Sequence, residues 1–280
     1  MTELPPNGAL RGRVALVTGA ASNIGRATAI AVAEAGGRVL ATDIDPRGLE
    51  ETASHIRAAF GNSTVATRVA DLARPEAPEA LVAAAVATHG RLDVVVHAAV
   101  DHGDGRIESL THEQWHRAYA VNVGAAVWLV RAALPHLERA GGAVVLFSSV
   151  QAKGGIPGCS LYGSTKAAIE GLTKHLAVEL GPRRIRVNAI SPGRVTDSPD
   201  PEPSALTAYP LGRYGKADEI ASAAVFLASD AASWMTGSIV SLDGGMSAIS
   251  ADHASSAAAS SPPSRRWATR IRQFGGRNRP

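Results

Sequence analysis

Short apolar runs alternate with longer stretches of helical periodicity along most of this chain. The first six runs are rich in Val, Ile or Leu and mostly lack strict apolar–polar alternation, as is typical of strands buried on both faces. The predicted strands are Val14–Val17, Arg38–Thr42, Val65–Val69, Val94–His97, Ala143–Phe147, Ile185–Ile190 and Ile239–Leu242. The predicted helices are Gly25–Ala35, Arg47–Phe60, Pro78–His89, His112–Arg139, Leu161–Leu180 and Ala217–Ser229.

This alternation of strand and helix predicts the fold class. It favours an α/β protein with a parallel sheet and helices on both faces. Right-handed crossovers then give a doubly wound, Rossmann-like sheet, with ligands at the carboxyl ends of the strands. The pattern predicts a single domain over residues 10–246.

Two segments outside the alternating pattern have their own character. Val195–Arg213 contains four prolines without clear periodicity, which predicts a long loop of the kind that often forms a lid. Residues 247–280 form a low-complexity basic tail, which we expect to be disordered. The alternative for the tail is a basic amphipathic helix, because Trp267, Ile271 and Phe274 recur at helical spacing among arginines.

Charge and composition narrow the protein class. Residues 248–280 hold six arginines and one aspartate, a charge of +5, so the formal net charge of +3 leaves −2 for the body. A nearly neutral body does not favour a nucleic-acid-binding enzyme. The sequence has no run of 18 apolar residues and no recognisable secretory signal, so we expect neither a membrane partner nor export. The single Cys159 fits a reducing cytoplasm.

A glycine-rich turn follows the first predicted strand. Gly19 allows a tight turn, and Gly25 lets the first helix begin close to the strand. Free N–H groups and the positive end of the helix would then face a pyrophosphate. An ordinary strand–helix loop is the alternative, but the position on the first strand favours a dinucleotide site.

An acidic residue at the end of the second strand points to the form of the dinucleotide. Asp43 lies 24 residues after Gly19, and a carboxylate there can accept both ribose hydroxyls. It would repel a 2′-phosphate, and neither Ser22 nor Ile44 supplies a cation to hold one. We therefore expect NAD rather than NADP, the alternative being that Asp43 is only a turn residue or helix cap.

Tyr162 and Lys166 lie at the beginning of an Ala-rich predicted helix. Their spacing of four residues places phenol and ammonium on one helix face. A neighbouring ammonium favours the phenolate, which can take a proton from an alcohol or return it. The Y-x-x-x-K spacing alone is common by chance.

Several ordered motifs together give the chain its family resemblance. From about Gly12 to Gly245 it resembles the short-chain dehydrogenase/reductase family, in its single-domain branch of roughly 250 residues. The motifs are Thr18-Gly19 with Gly25, Asp43, Asp71, Asn122, Ser149, Tyr162, Lys166, Ser191-Pro192-Gly193, the run from Pro210 through Phe226 to Thr236-Gly237, and Asp243-Gly-Gly245.

The resemblance implies roles for the matching residues. Tyr162 would be the acid/base, Lys166 would hold the nicotinamide ribose, and Ser149 rather than Ser148 would bind the substrate oxygen. Asn122 would hold a water in a proton relay, and Asp71 would contact the adenine. The implied cofactor-binding set is Gly19, Ser22, Asn23, Ile24, Gly25, Asp43, Ile44, Asp71, Leu72, Ala98, Ala99, Tyr162, Lys166, Pro192, Gly193 and Val195.

Three positions depart from the family pattern. Asn23 replaces a usual glycine, and asparagine tolerates a left-handed backbone better than most residues. The usual Asn-Asn-Ala-Gly is here His97-Ala-Ala-Val100, so we expect His97 to replace a polar contact. Asp197 stands where a threonine is usual, and either it meets the nicotinamide amide differently or Thr196 or Ser198 takes that place.

The remaining motifs carry less chemistry. His112-Glu-Gln-Trp-His116 matches a zinc-site pattern without a downstream continuation, so we expect no metal. His102, Gln151 and Lys153 either touch a polar substrate or are ordinary loop residues. Cys159 lies three residues before Tyr162, and a small pocket-side or buried residue is the better interpretation than a catalytic thiol.

These observations predict an NAD(H)-dependent oxidoreductase that interconverts a secondary alcohol and a ketone. The alternatives are a non-catalytic NAD-binding sensor or scaffold on the same fold, and an NADPH-driven ketoreductase of a biosynthetic pathway. The resemblance also implies a homotetramer, with helices 112–139 and 161–180 at subunit contacts. The sequence does not identify the alcohol or ketone substrate.

Overall fold

A computed structural model describes residues 8–103, 105–196 and 208–249. Its core is one seven-stranded parallel sheet with the strand order β3-β2-β1-β4-β5-β6-β7. The strands are β1 Val14–Thr18, β2 Arg38–Asp43, β3 Val65–Val69, β4 Val94–His97, β5 Ala143–Phe147, β6 Arg186–Pro192 and β7 Ile239–Leu242. The helices are α1 Asn23–Glu34, α2 Pro46–Phe60, α3 Ala77–His89, α4 His112–Tyr119, α5 Ala125–Ala140, α6 Ser160–Leu180 and α7 Ala217–Ala228.

Helices cover both faces of the sheet. Buried residues of α1, α2 and α7 pack in one hydrophobic core, and those of α3, α5 and α6 pack in the other. The residues of β1, β4 and β5 are buried throughout, which explains why their sequences are continuous apolar runs. The predicted doubly wound, Rossmann-like single domain is confirmed.

The strand order determines where a ligand can enter. β1 pairs on one side with β2 and on the other with β4, so the chain reverses its direction of winding at β1. The loops that follow β1 and β4 therefore separate at the carboxyl edge of the sheet and leave a crevice between them.

The largest local difference from the sequence pattern is in the predicted helix 112–139. It is divided by a π-helical turn, Ala120–Gly124, which separates α4 from α5. The residues on either side of the turn, Tyr119 and Ala125, have ordinary helical backbone angles. Hydrophobic periodicity therefore does not reveal the turn. Strand β6 is longer than predicted and continues to Pro192.

The segments outside the alternating pattern are only partly described. Val195 pairs with Gly215 in an isolated bridge, while residues 197–207, including Asp197, lie outside the described residues. The tail from residue 250, with Trp267, Ile271 and Phe274, also lies outside them.

One described helical segment has the length and apolar composition of a membrane span. It runs over His112–Ala140. Helices in the core of a folded domain pass the same test, and one face of α5 is buried against the sheet through Leu129, Ala133 and Leu137. The α5 part of this segment is a core helix of the fold.

Candidate active site

A cavity of about 340 Å³ opens at the carboxyl edge of the sheet, beside the turning point at β1. Its wall brings together most of the cofactor residues that the sequence predicts. These are Gly19, Ser22, Asn23, Ile24, Gly25, Asp43, Ile44, Asp71, Leu72, Ala98, Ala99, Tyr162, Lys166 and Pro192. The loops after β1, β2, β3 and β4 therefore converge with the first turns of α6.

The turn after β1 is built from closely packed backbone. Gly19 has a φ of +70°, and a Cβ placed there would lie 2.7 Å from the backbone nitrogen of Ala99. A Cβ on Gly25 would lie 1.9 Å from the carbonyl oxygen of Gly19. Only glycine fits at either position, and the first turn of α1 is left open towards the cavity.

Asn23 shows how this turn survives without its usual glycine. Its φ is +44°, a left-handed conformation that asparagine adopts more readily than most residues. Helix α1 begins at this left-handed Asn23, so the turn and the helix form with asparagine in this position.

The end of β2 presents an anionic wall. The two carboxylate oxygens of Asp43 accept hydrogen bonds from the backbone N–H of Ala21 at 2.9 Å and of Asp45 at 3.0 Å. Each oxygen keeps a further lone pair, so Asp43 supports the turn and can still accept ribose hydroxyls. Among the described residues that line the cavity, Arg117 and Lys166 are the cations, and neither belongs to the β1 or β2 loop.

Tyr162 and Lys166 lie one helical turn apart on α6 and face the cavity together. The ammonium nitrogen of Lys166 is 5.5 Å from the centre of the Tyr162 ring. Lys166 is buried, and its ammonium donates a hydrogen bond of 2.8 Å to the carbonyl of Phe147. Burial lowers the pKa of Lys166 to about 8. A phenol beside a buried ammonium is an arrangement suited to proton transfer.

The two serines after β5 have different hydrogen bonds. The Ser148 hydroxyl lies 3.0 Å from a carboxylate oxygen of Glu170 and 3.2 Å from the Lys166 carbonyl, and because both are acceptors its single proton is committed to this pair. The Ser149 oxygen instead accepts from the Gln151 backbone N–H at 3.2 Å, which leaves its proton for another partner. This difference favours Ser149 over Ser148 as the donor to a substrate, although Ser149 stands just outside the residues that line the cavity.

Asn122 lies behind the cavity wall, and its side-chain amide is hydrogen-bonded through both its nitrogen and its oxygen. Its amide nitrogen donates to the Asp101 carbonyl at 2.8 Å and to the Thr165 hydroxyl at 3.0 Å. Its amide oxygen accepts from the Asp101 backbone N–H at 2.7 Å. The side chain therefore clamps the loop after β4 to α6.

His97 replaces a polar contact, as the sequence predicts. Its Nε2 lies 3.1 Å from the Val121 carbonyl, which can only accept, so Nε2 carries the proton. Its Nδ1 therefore accepts from the Thr18 hydroxyl at 3.0 Å. Burial and the charge of Lys166 lower the pKa of His97 to about 4. The imidazole is a neutral tie between β4, β1 and the π-turn.

An ion-pair network that the sequence did not indicate crosses the cavity wall. Arg117 on α4 binds Asp71 at 3.1 Å and Asp101 at 3.0 Å. Burial opposes ionisation of Asp71, but hydrogen bonds from Ala73 and Arg117 outweigh it and lower the pKa of Asp71. Arg117 thus connects the loop after β3 with the loop after β4. The two partners lie 46 and 16 residues away along the chain, so no local motif reveals the network.

Some predicted site residues do not line the cavity. They are Asn122, Ser149, Gly193 and Val195. The Gly193 backbone N–H is bound to Leu242, and Val195 pairs with Gly215, so both support the loop after β6. The wall also contains residues outside the predicted cofactor and catalytic sets, among them Thr42, Val100, Asp101, His102 and Arg117.

The residues present fit a dinucleotide. The turn from Gly19 to Gly25, here called the cradle, exposes backbone at its two glycines where a phosphate needs N–H donors. The Thr42 hydroxyl is buried on the cavity wall without a hydrogen-bond partner among the described residues. A metal has less support, because no three His, Cys, Asp or Glu side chains converge within the described ranges. The His112 and His116 rings stack at 6.5 Å on an exposed helix face.

Comparisons with known proteins agree with this geometry. Residues 19–247 match the model of a family described as Enoyl-(Acyl carrier protein) reductase. The 3-oxoacyl-(acyl-carrier-protein) reductase of Thermotoga maritima is 35% identical over 85% of this chain and 98% of its own length. The 2-keto-3-deoxy-L-fuconate dehydrogenase of Xanthomonas campestris is 37% identical over 86% of this chain and 82% of its own length.

A solved structure extends the agreement to three dimensions. Carveol dehydrogenase from Mycobacterium avium, in complex with NAD, superposes with a TM-score of 0.79 and 29% identity. The match covers 86% of this chain and 100% of that one. Sequence, fold and cavity agree, and the chain belongs to the short-chain dehydrogenase/reductase family of oxidoreductases.

Proposed function

We propose that this protein is an NAD(H)-dependent oxidoreductase that interconverts a secondary alcohol and a ketone, with Tyr162 as the acid/base. The observation that carries the proposal is the pairing of Tyr162 and Lys166 in the cavity, 5.5 Å apart between ammonium and ring centre. An intact phenol–ammonium pair also argues against a purely non-catalytic sensor, which has no need of it.

The reaction divides between the cofactor and the chain. When bound, the nicotinamide supplies the acceptor for the hydride that leaves the carbinol carbon. Tyr162 takes the hydroxyl proton at its phenolate oxygen in oxidation and returns it in reduction. Ser149, whose oxygen already accepts from Gln151, donates its one hydroxyl proton to the substrate oxygen and holds that oxygen near Tyr162. Lys166 stabilises the phenolate and would hold the nicotinamide ribose.

The remaining cofactor contacts follow from the walls. The open turn of α1, from Ser22 to Gly25, would hold the pyrophosphate. Asp43 would accept the ribose hydroxyls, and Asp71 would receive the adenine amino group. Pro192, Gly193 and Val195 would position the nicotinamide amide through the loop after β6. The anionic Asp43, without a cation on its loop, is the reason for proposing NAD over NADP.

The test is a spectroscopic assay at 340 nm with NAD and NADP against a panel of secondary alcohols and ketones. We expect turnover with NAD, and a fall in kcat/KM of about 10²- to 10⁴-fold in Tyr162→Phe, because the variant keeps the ring but loses the proton carrier. NAD binding by calorimetry should stay within about two-fold in that variant, since the phenol oxygen contributes little to it.

Three results would sharpen or reject this assignment. Preference for NADPH would transfer support to the alternative of a biosynthetic ketoreductase. Undiminished turnover in Tyr162→Phe would reject Tyr162 as the acid/base. Failure to bind either nucleotide would reject the cofactor site from Gly19 onwards.

We also propose a cytoplasmic homotetramer. The second helix predicted at subunit contacts, α6, carries Val178 with 80% of its surface exposed, and Trp128 on α5 is 45% exposed. Large apolar side chains at such exposure are suited to an interface. Light scattering of the purified protein gives the oligomeric state, and a monomeric mass would reject the tetramer.

A further inference from the structure

We propose that His102 is a substrate-binding residue of this site, and that the substrate carries a second oxygen next to the carbinol carbon. The observation behind it is a stack: the imidazole of His102 lies 5.1 Å from the Tyr162 ring, centre to centre, at an angle of 21°. Both side chains line the same cavity, and His102 is exposed within it. The proposal rests on the proposed function, because it assigns Tyr162 to the reacting hydroxyl.

The position of His102 is imposed by its neighbours in the chain. Asp101 is held on both backbone groups by the Asn122 amide and on its carboxylate by Arg117. The same carboxylate accepts from the Gly103 backbone N–H at 3.1 Å, which turns the chain around His102. Gly103 itself has a φ of +55°.

The loop is fixed on its far side as well. The Gly105 N–H donates to the Gly158 carbonyl at 3.1 Å, in the segment that leads into α6. A Cβ on Gly103 would lie 2.5 Å from a methyl carbon of Leu161, the residue before Tyr162. These contacts fix the backbone on both sides of His102, so its side chain has a defined position in the cavity wall.

The chemistry of imidazole indicates what it would bind. Stacking engages the face of the ring and leaves the imidazole nitrogens available at its edge, in the cavity that Tyr162 also lines. Neutral imidazole offers one donor and one acceptor. A hydroxyl, ketone or carboxylate on the carbon next to the carbinol is the group that can reach His102 while the carbinol oxygen is at Tyr162. Simple alcohols lack this partner.

Matched substrates and matched variants test the proposal. We would measure kcat/KM for butane-2,3-diol and for butan-2-ol in the wild type, His102→Phe and His102→Asn. We expect about a ten-fold preference for the diol in the wild type, the size of one to two hydrogen bonds. His102→Phe keeps the stack and should bring the ratio close to one, whereas His102→Asn should retain part of it.

A control and a binding measurement separate the possible outcomes. His55→Phe, at an exposed position on α2, should keep the full preference. The affinities of 3-hydroxybutan-2-one and butan-2-one for the NADH complex, followed by NADH fluorescence, give the same comparison without turnover. Equal ratios in the wild type and His102→Phe, in either measurement, would overturn the proposal. Turnover with an unchanged ratio would leave the oxidoreductase assignment standing and overturn only the role of His102, whereas no turnover of any substrate in the panel would reject the assignment and the role of His102 with it.

Discussion

The cofactor side and the substrate side of the cavity are built from different materials. The turn after β1 consists of backbone in contact with backbone, with Gly19 and Gly25 as its tightest points. The wall after β4 is held together by the side chains of His97, Asn122 and Arg117, which bind backbone groups and other side chains. Backbone packing accepts few residue types, whereas side-chain networks can be built in many ways. The first region therefore preserves a recognisable motif, and the second can change its residues.

The largest expected effect comes from a methyl group in the backbone cradle. Gly25→Ala places a Cβ 1.9 Å from the Gly19 carbonyl oxygen, and no flexible side chain can move aside. We expect a loss of more than about 3 kcal/mol in the free energy of unfolding, and loss of NAD binding. Urea unfolding and calorimetric NAD titration measure the two effects.

A second glycine provides the control for that substitution. Gly171 lies in α6, and a methyl group added to its Cα would meet no atom within 4 Å. Gly171→Ala should increase stability by about 0.5–1 kcal/mol, because alanine is the better helix former. A tolerated Gly25→Ala variant with normal NAD affinity would remove the contrast between the two regions.

The next largest effect is a loss of stability at acid pH, which arises from His97 in the wall after β4. An unfolded histidine has a pKa near 6.5, while His97 in the folded protein has a pKa of about 4. Between these two pH values His97 is protonated in the unfolded chain but stays neutral in the folded chain. The free energy of unfolding should therefore fall by up to about 3 kcal/mol as the pH falls from 6.5 to 4, and be unaffected by His97 above that window.

His97→Asn tests this assignment. Asparagine keeps a donor for the Val121 carbonyl but cannot titrate. The fall in the free energy of unfolding between pH 6.5 and pH 4 should therefore be smaller in the variant, by the amount that His97 contributes in the wild type. His89, whose pKa burial also lowers, remains as an internal reference. An identical pH dependence in the wild type and His97→Asn, from urea unfolding at each pH, would contradict the origin proposed for it.

A smaller effect is expected at the ion-pair network. Arg117→Met should cost about 1 kcal/mol, because all three side chains are partly exposed and their charges are screened. The KM for the alcohol should rise by roughly three- to ten-fold, since Asp101 loses an anchor. Steady-state kinetics at low and high salt checks this, with Arg47→Met as the control, because Arg47 is 90% exposed. Equal KM values in both variants would show that the network does not position the loop.

The smallest effect is expected where the cradle departs from its usual glycine. Asn23→Gly should change the free energy of unfolding by less than about 0.5 kcal/mol, because asparagine already tolerates φ of +44°. Asn23→Ala should cost about 1 kcal/mol and weaken NAD binding. Arg184, with φ of +60° away from the cavity, is the control: Arg184→Gly should alter stability and leave NAD affinity unchanged. Thermal unfolding with and without NAD measures all three.

The same contrast explains what the sequence could and could not predict. Buried strands and glycine turns leave local patterns, so the sheet was predicted correctly, and the predicted residues from Gly19 to Gly25 and the Tyr162–Lys166 pair lie on the wall of one cavity. The Arg117 network was not predicted, because its partners come together only in the fold. Asn122 was found by its motif, but its side-chain partners depend on the π-turn, which helical periodicity hides.

The π-turn at Ala120–Gly124 also makes the site depend on the number of residues in this stretch of the chain. A π-turn holds one residue more than the α-helix that could replace it. Losing a single codon there would restore regular winding, and α5 would keep its register with α4, because the extra residue is absorbed within the π-turn. Leu129, Ala133 and Leu137 would still face the sheet, whereas the backbone that presents the Val121 carbonyl to His97 and the Asn122 amide to Asp101 would be lost. A one-residue deletion here should therefore damage the site more than the fold.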